Sequence, residues 1–190
     1  MAGLISLAKK PVMLSRDTRA VVVPDGTEVV LEQGFEVTII QELGGDFTVT
    51  GPDHRMYRID GEFGEHLGKK ALVLEAQNRL NDAGGKLTDE IVWSQLATCY
   101  DPEIPVNIVE LGLIYSMTVV SLEDSPKSRV EITMTLTAPG CGMGQVIADD
   151  VKRKVEKLSA VEETVVELVF DPPWDPSRMS EVARLTTGMM

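Results

Sequence analysis

The chain has 190 residues, with 18 Lys+Arg against 30 Asp+Glu, a formal charge of −12 and a pI of about 4.6. Its 43% hydrophobic and 25% charged residues make an ordinary globular mixture, which excludes wholesale disorder and collagen-like structure. An acidic chain with 5% aromatics lacks the Lys/Arg that displace counterions from phosphates, so nucleic acid is excluded as a partner.

Met1 to Lys10 places its lysines after a short apolar stretch, the reverse of a signal peptide. No run approaches the ~20 apolar residues that cross a bilayer. The expectation is a soluble cytoplasmic protein with no membrane partner. The two cysteines, Cys99 and Cys141, are too few for a disulfide scaffold and form no CxxC pair, which fits a reducing compartment.

Residues 20–68 read as β-structure. The runs are Val21–Val23, Glu28–Leu31, Phe35–Ile40, Phe47–Thr50 and Met56–Ile59. Pro24-Asp25-Gly26, Gln33-Gly34, Gly44-Gly45, Gly51-Pro52-Asp53 and Asp60-Gly61 punctuate them. Turn signals every ~8–12 residues predict a small antiparallel β-barrel or sandwich. Such a fold assigns no function by itself. His54 and His66 fall here as loop residues, at a spacing that fits no helical metal pair. Ala71–Leu80 predicts a short helix and Asn81–Gly85 a linker. The expected domains are therefore 1–84, β-rich with a short linker helix, and 85–190. Their charges are 9 − 13 = −4 and 9 − 17 = −8, so neither is a hidden basic module.

The second half alternates helices and strands. Thr88 stands at a helix N-cap with Asp89 and Glu90 in the first turn, and Leu87 and Val92 occupy hydrophobic-staple positions. Val92, Leu96 and Cys99 share one face of that helix, which should end near Tyr100 because Asp101 precedes Pro102. Gly112–Val120 predicts a strand. Val130–Thr137 alternates cleanly, with Val130, Ile132, Met134 and Leu136 on one face. A helix follows Pro139-Gly140 with the stripe Ile147, Val151, Val155 and Leu158. Thr164–Phe170 predicts a third strand with Val166, Leu168 and Phe170 inward. Asp175 then caps a last helix, with Pro176 at its first position and Gly188 at its stop. The order α-β-β-α-β-α predicts a two-layer α+β domain with helices on one face of a small sheet.

Three segments carry the candidate chemistry. In Thr135-Leu-Thr-Ala-Pro-Gly-Cys-Gly-Met-Gly144 a cysteine stands at or beside a helix start, where free N–H groups and the dipole stabilise a thiolate. Gly140, Gly142 and Gly144 leave room for a metal or partner to approach the sulfur. The alternative is that Cys141 packs against the sheet and the glycines only make the turn. Cys99, on the apolar stripe, is expected in the core. In Asp101-Pro-Glu-Ile-Pro-Val-Asn-Ile-Val-Glu-Leu-Gly-Leu-Ile-Tyr115, two prolines fix a rigid connection. Asp101, Glu103, Asn107 and Glu110 offer oxygen ligands there. Alternatively Asp101 closes the helix end or turn and Glu110 stays solvated. In Asp171-Pro-Pro-Trp-Asp-Pro-Ser-Arg-Met-Ser180, Trp174 is a lid over the core or an anchor for another protein, and the lid is favoured. No HExxH, P-loop or GxSxG occurs and no histidine follows His66, so a Cys141 nucleophile has no histidine base in its own domain.

Together, DPEIPVNIVELGLIY, MTLTAPGCGMG and DPPWDPSRMS resemble the SufT proteins. These belong to a wider family that includes PaaD of phenylacetate degradation and the eukaryotic factor targeting iron–sulfur clusters to cytosolic proteins. The wider family's domain covers about residues 86–190, and the β-rich half resembles the extension that marks SufT. The resemblance implies an iron–sulfur-assembly-type domain and a non-catalytic accessory role in the SUF assembly system. It places the family's reactive cysteine at Cys141 and its acidic segment at Asp101 and Glu103. Residue 142 is Gly where many relatives have Pro, which loosens the helix start and leaves the cysteine in place.

A cluster takes up to four thiolates, and one chain offers a single candidate ligand, Cys141. The leading expectation is an adaptor or transient carrier of an iron–sulfur cluster or iron. A second protomer in a homodimer, a partner protein or a small thiol would supply the remaining ligands. Expected partners are iron–sulfur carrier or scaffold proteins and client apo-proteins, with Trp174, Asp175 and Arg178 as the contact surface. The competing expectation is a pure interaction module with a structural Cys141 and neither cluster nor metal. A cysteine enzyme ranks last because a base is missing.

Overall fold

The computed structural model describes residues 10–69, 75–101, 104–138 and 144–188. Contacts divide the chain into two units, Met1–Val73 and Leu74–Met190. The fold as a whole is α+β.

In the first unit the β-branched runs form β1 (Val12–Met13), β2 (Thr18–Val23), β3 (Glu28–Leu31), β4 (Glu36–Leu43), β5 (Asp46–Thr50) and β6 (Met56–Asp60). They pair antiparallel in one six-stranded sheet ordered β1-β4-β5-β6-β2-β3. Among the described residues β1 and β3 are not paired with each other, so the sheet is antiparallel as expected but its closure into a barrel is not seen. Alternation places Val37, Ile39, Phe47, Val49, Tyr57 and Ile59 on a common buried face. A 3-10 helix, Gly61–Leu67, follows β6, capped by the Asp60 carboxylate accepting from the Glu62 N–H. His66 has a structural partner, because Thr18 donates its hydroxyl to Arg16 O and meets His66 Nδ1 at 2.9 Å. Thr18 has one hydroxyl proton, so Nδ1 is the donor in that contact.

The second unit contains α1 (Glu75–Asp82), α2 (Asp89–Leu96), β7 (Ile114–Ser121), β8 (Ser128–Met134), α3 (Gly144–Glu156), β9 (Val161–Leu168) and α4 (Glu181–Thr187). Helix α1, grouped with the first half on sequence, packs in this unit through Ala76 and Leu80. The sheet order is β7-β8-β9, antiparallel between β7 and β8 and parallel between β8 and β9. Val130, Ile132 and Met134 of β8 and the stripe Ile147, Val151, Val155 of α3 meet in one core. Cys99 is buried in that core.

Several boundaries differ from expectation. Helix α2 ends at Leu96, four residues before Tyr100, because Tyr100 is instead drawn into a bridge with Asn107. The last helix divides into a 3-10 turn, Pro176–Arg178, and α4, with buried, extended Met179 between them. Phe170 is 45% exposed. A register shift between β8 and β9 turns Val161 and Thr164 inward, and β9 stops at Leu168. No described helix is long and apolar enough to cross a membrane.

A buried polar cluster joins α2 to α3. Asp150 and Lys154, each 3% exposed, lie one turn apart with Lys154 Nζ 3.5 Å from Asp150 Oδ2. Lys154 Nζ donates to Thr98 O (2.8 Å), Gln95 Nε2 donates to Lys154 O (2.8 Å), and Arg153 pairs with Asp150 Oδ1. Removing one partner from such a pair costs far more than the pair contributes, since the other charge stays buried. Lys154→Met keeps the stem but removes the charge and the Thr98 donor. With Arg153 still paired to Asp150, it should destabilise the second unit by about 1–3 kcal/mol, read from urea denaturation.

The Tyr57 hydroxyl, hydrogen-bonded to Asp53, holds that carboxyl below its ordinary value, aided by the Arg55 N–H. A depressed folded value means the contribution is complete above the unfolded carboxylate range, about pH 4. It is lost as pH falls through the folded value. Tyr57→Phe should therefore make the acid-induced fall in the first unit's urea midpoint shallower below about pH 4, followed by circular dichroism.

Candidate functional site

The strand directions decide where the three sequence segments lie. With β7 antiparallel to β8 and β9 parallel to it, the start of β7 and the ends of β8 and β9 share one margin of the sheet. The described stretches flanking those points are 104–113, 135–138 and 169–180. They come from distant parts of the chain, and the sheet brings them to one place.

The first segment folds into a capped turn. Asn107 Oδ1 accepts from the Val109 N–H (3.0 Å) and the Glu110 N–H (2.9 Å), so this side chain is occupied locally. Gly112 N–H donates to Val109 O (2.9 Å) and Leu113 N–H to Ile108 O (3.0 Å), the paired bonds of a Schellman motif. Gly112, at φ 68°, supplies the left-handed residue that motif needs, so β7 begins at Ile114 and not at Gly112. Asp101 is half-buried just before this segment. Glu103 lies outside the described residues.

The third segment closes over the turn. Trp174 Nε1 donates to Leu111 O at 2.9 Å, and the Ser180 N–H donates to Glu110 O at 2.9 Å. The Tyr115 hydroxyl donates to Pro172 O at 2.9 Å, and the Arg178 guanidinium lies 4.2 Å from the Tyr115 ring centroid. Gly112 is also where the two backbones touch: a Cβ there would overlap the Arg178 carbonyl. Trp174 is half-buried against the core, the arrangement of a lid. Asp175 and Arg178 are exposed. The Ser177 hydroxyl, and then the Ser177 N–H donating at 2.8 Å, hold the Asp175 carboxylate below its ordinary value.

The second segment joins the same margin. Thr135 N–H donates to Leu113 O at 2.9 Å, and Val169 N–H donates to Met134 O at 2.9 Å. Thr135 is fully buried, and among the described residues its hydroxyl has no hydrogen-bond partner. Buried Gly144 begins α3 so close to Leu136 that a Cβ would overlap the Leu136 Cδ1. Cys141, between these two described stretches, lies outside the described residues. Among the described residues, no three His, Cys, Asp or Glu side chains are grouped to hold a metal.

The structure thus sets Trp174 and Arg178, with Asp175 between them, against the 107–112 turn and Tyr115, while Asp101 follows the Tyr100–Asn107 bridge. Sequence reasoning assigned no role to Gly112, Tyr115 or Thr135. The glycine immediately ahead of a strand was the available signal for the first. For the other two there was none, because the Tyr115 partner, Pro172, is 57 residues away and the Thr135 hydroxyl has no partner among the described residues.

Residues 89–168 match the profile of a family described as iron–sulfur cluster assembly protein. An Fe-S protein maturation auxiliary factor of Porphyromonas gingivalis is 43% identical over 103 residues, 54% of this chain and 93% of that protein. The Fe-S protein maturation auxiliary factor SufT of Staphylococcus aureus is 38% identical over 89 residues, 47% of this chain and 96% of that protein. Among solved structures, a conserved hypothetical protein of Thermotoga maritima is 35% identical with a TM-score of 0.47, covering 55% of this chain and 97% of that one.

Gly112→Ala combines left-handed strain with the Arg178 overlap. It should cost on the order of 3 kcal/mol in urea denaturation and weaken the Trp174 clasp, seen as a red-shifted tryptophan emission.

Proposed function

Because the chain belongs to the iron–sulfur cluster assembly protein family, we propose that it is an accessory factor in the maturation of iron–sulfur proteins. It acts in the cytoplasm as an adaptor or transient carrier and catalyses no reaction of its own. The convergence of the three segments on one margin of the sheet carries this reading. The described parts of the three motif segments flank one margin of the sheet once β7, β8 and β9 are paired, and this supports the reading.

In this reading Cys141 is the thiol that meets the cargo, an iron–sulfur cluster or iron. Cys99 is buried in the core and leaves Cys141 as the one candidate thiolate. One thiolate falls short of a cluster's usual ligand set. The rest comes from a carrier or scaffold protein, a client apo-protein, a second protomer or a small thiol, and the cargo is therefore passed on and not kept. Asp101 and Glu103 add acidic oxygens beside the site. The exposed Asp175 and Arg178, presented on the lid of which Trp174 is the buried root, meet the partner.

The test is rescue of iron–sulfur enzyme activity in a strain deleted for the gene. Wild-type chain should restore that activity and Cys141→Ser should not, with both present at equal levels. Full rescue by Cys141→Ser overturns the thiol's role and leaves the adaptor without a carrier function.

A further inference from the structure

We draw no further inference here: the strongest candidate, the outward face of α4 where Val182 and Leu185 are each 67% exposed, is apolar and unpartnered among the described residues, and nothing in the structure shows what covers it.

Discussion

The C-terminal segment can close on the Asn107–Gly112 turn only because residue 112 has no side chain. That turn ends in a left-handed residue, and the Arg178 carbonyl comes to rest where a Cβ would stand. From this contact follow the bonds around it: the Trp174 indole to Leu111 O, Ser180 N–H to Glu110 O, and the Tyr115 hydroxyl to Pro172 O. Each hydrogen bond is worth only about 1 kcal/mol net. The close backbone approach is what lets them form at once, and their sum fixes the lid that presents Asp175 and Arg178.

The mixed sheet is the second constraint. A hairpin from β7 to β8 and a crossover through α3 to the parallel β9 are ordinary connections. Their combination leaves the start of β7 and the ends of β8 and β9 on one margin. Helix α3 therefore leaves the site directly, and its buried Asp150–Lys154 pair ties it to the end of α2 through Thr98 O. The helix following the Cys141 segment and the residues preceding Asp101 are thus held to each other by a charged cluster inside the core.

Much of this fold is legible residue by residue. Strands β2 to β6 coincide with the β-branched runs because glycine and proline turns bound them tightly. The α3 stripe Ile147, Val151, Val155 and Leu158 is buried as its period demands. Failures come where a distant partner wins over a local signal. Tyr100 continues the helical stripe on paper, yet its backbone pairs with Asn107 and the helix stops at Leu96. Pro176 after Asp175 opens a helical turn as predicted, yet buried Met179 extends the backbone and splits it from α4. Phe170 continues the alternation of Val166 and Leu168, yet β9 ends at Leu168 and Phe170 lies beyond it, exposed.

Local chemistry, all of it carried in neighbouring residues, was determined by the sequence alone: an α+β chain, two acidic halves, three motif segments, one cysteine in a core stripe and another beside a helix start. Only the tertiary structure decided that the three segments meet, that Trp174 is the root of a lid, and that Asn107 spends its side chain on a turn. These are facts about partners separated by tens of residues, and no periodicity or spacing in a single chain encodes which margin of a sheet two strands will share.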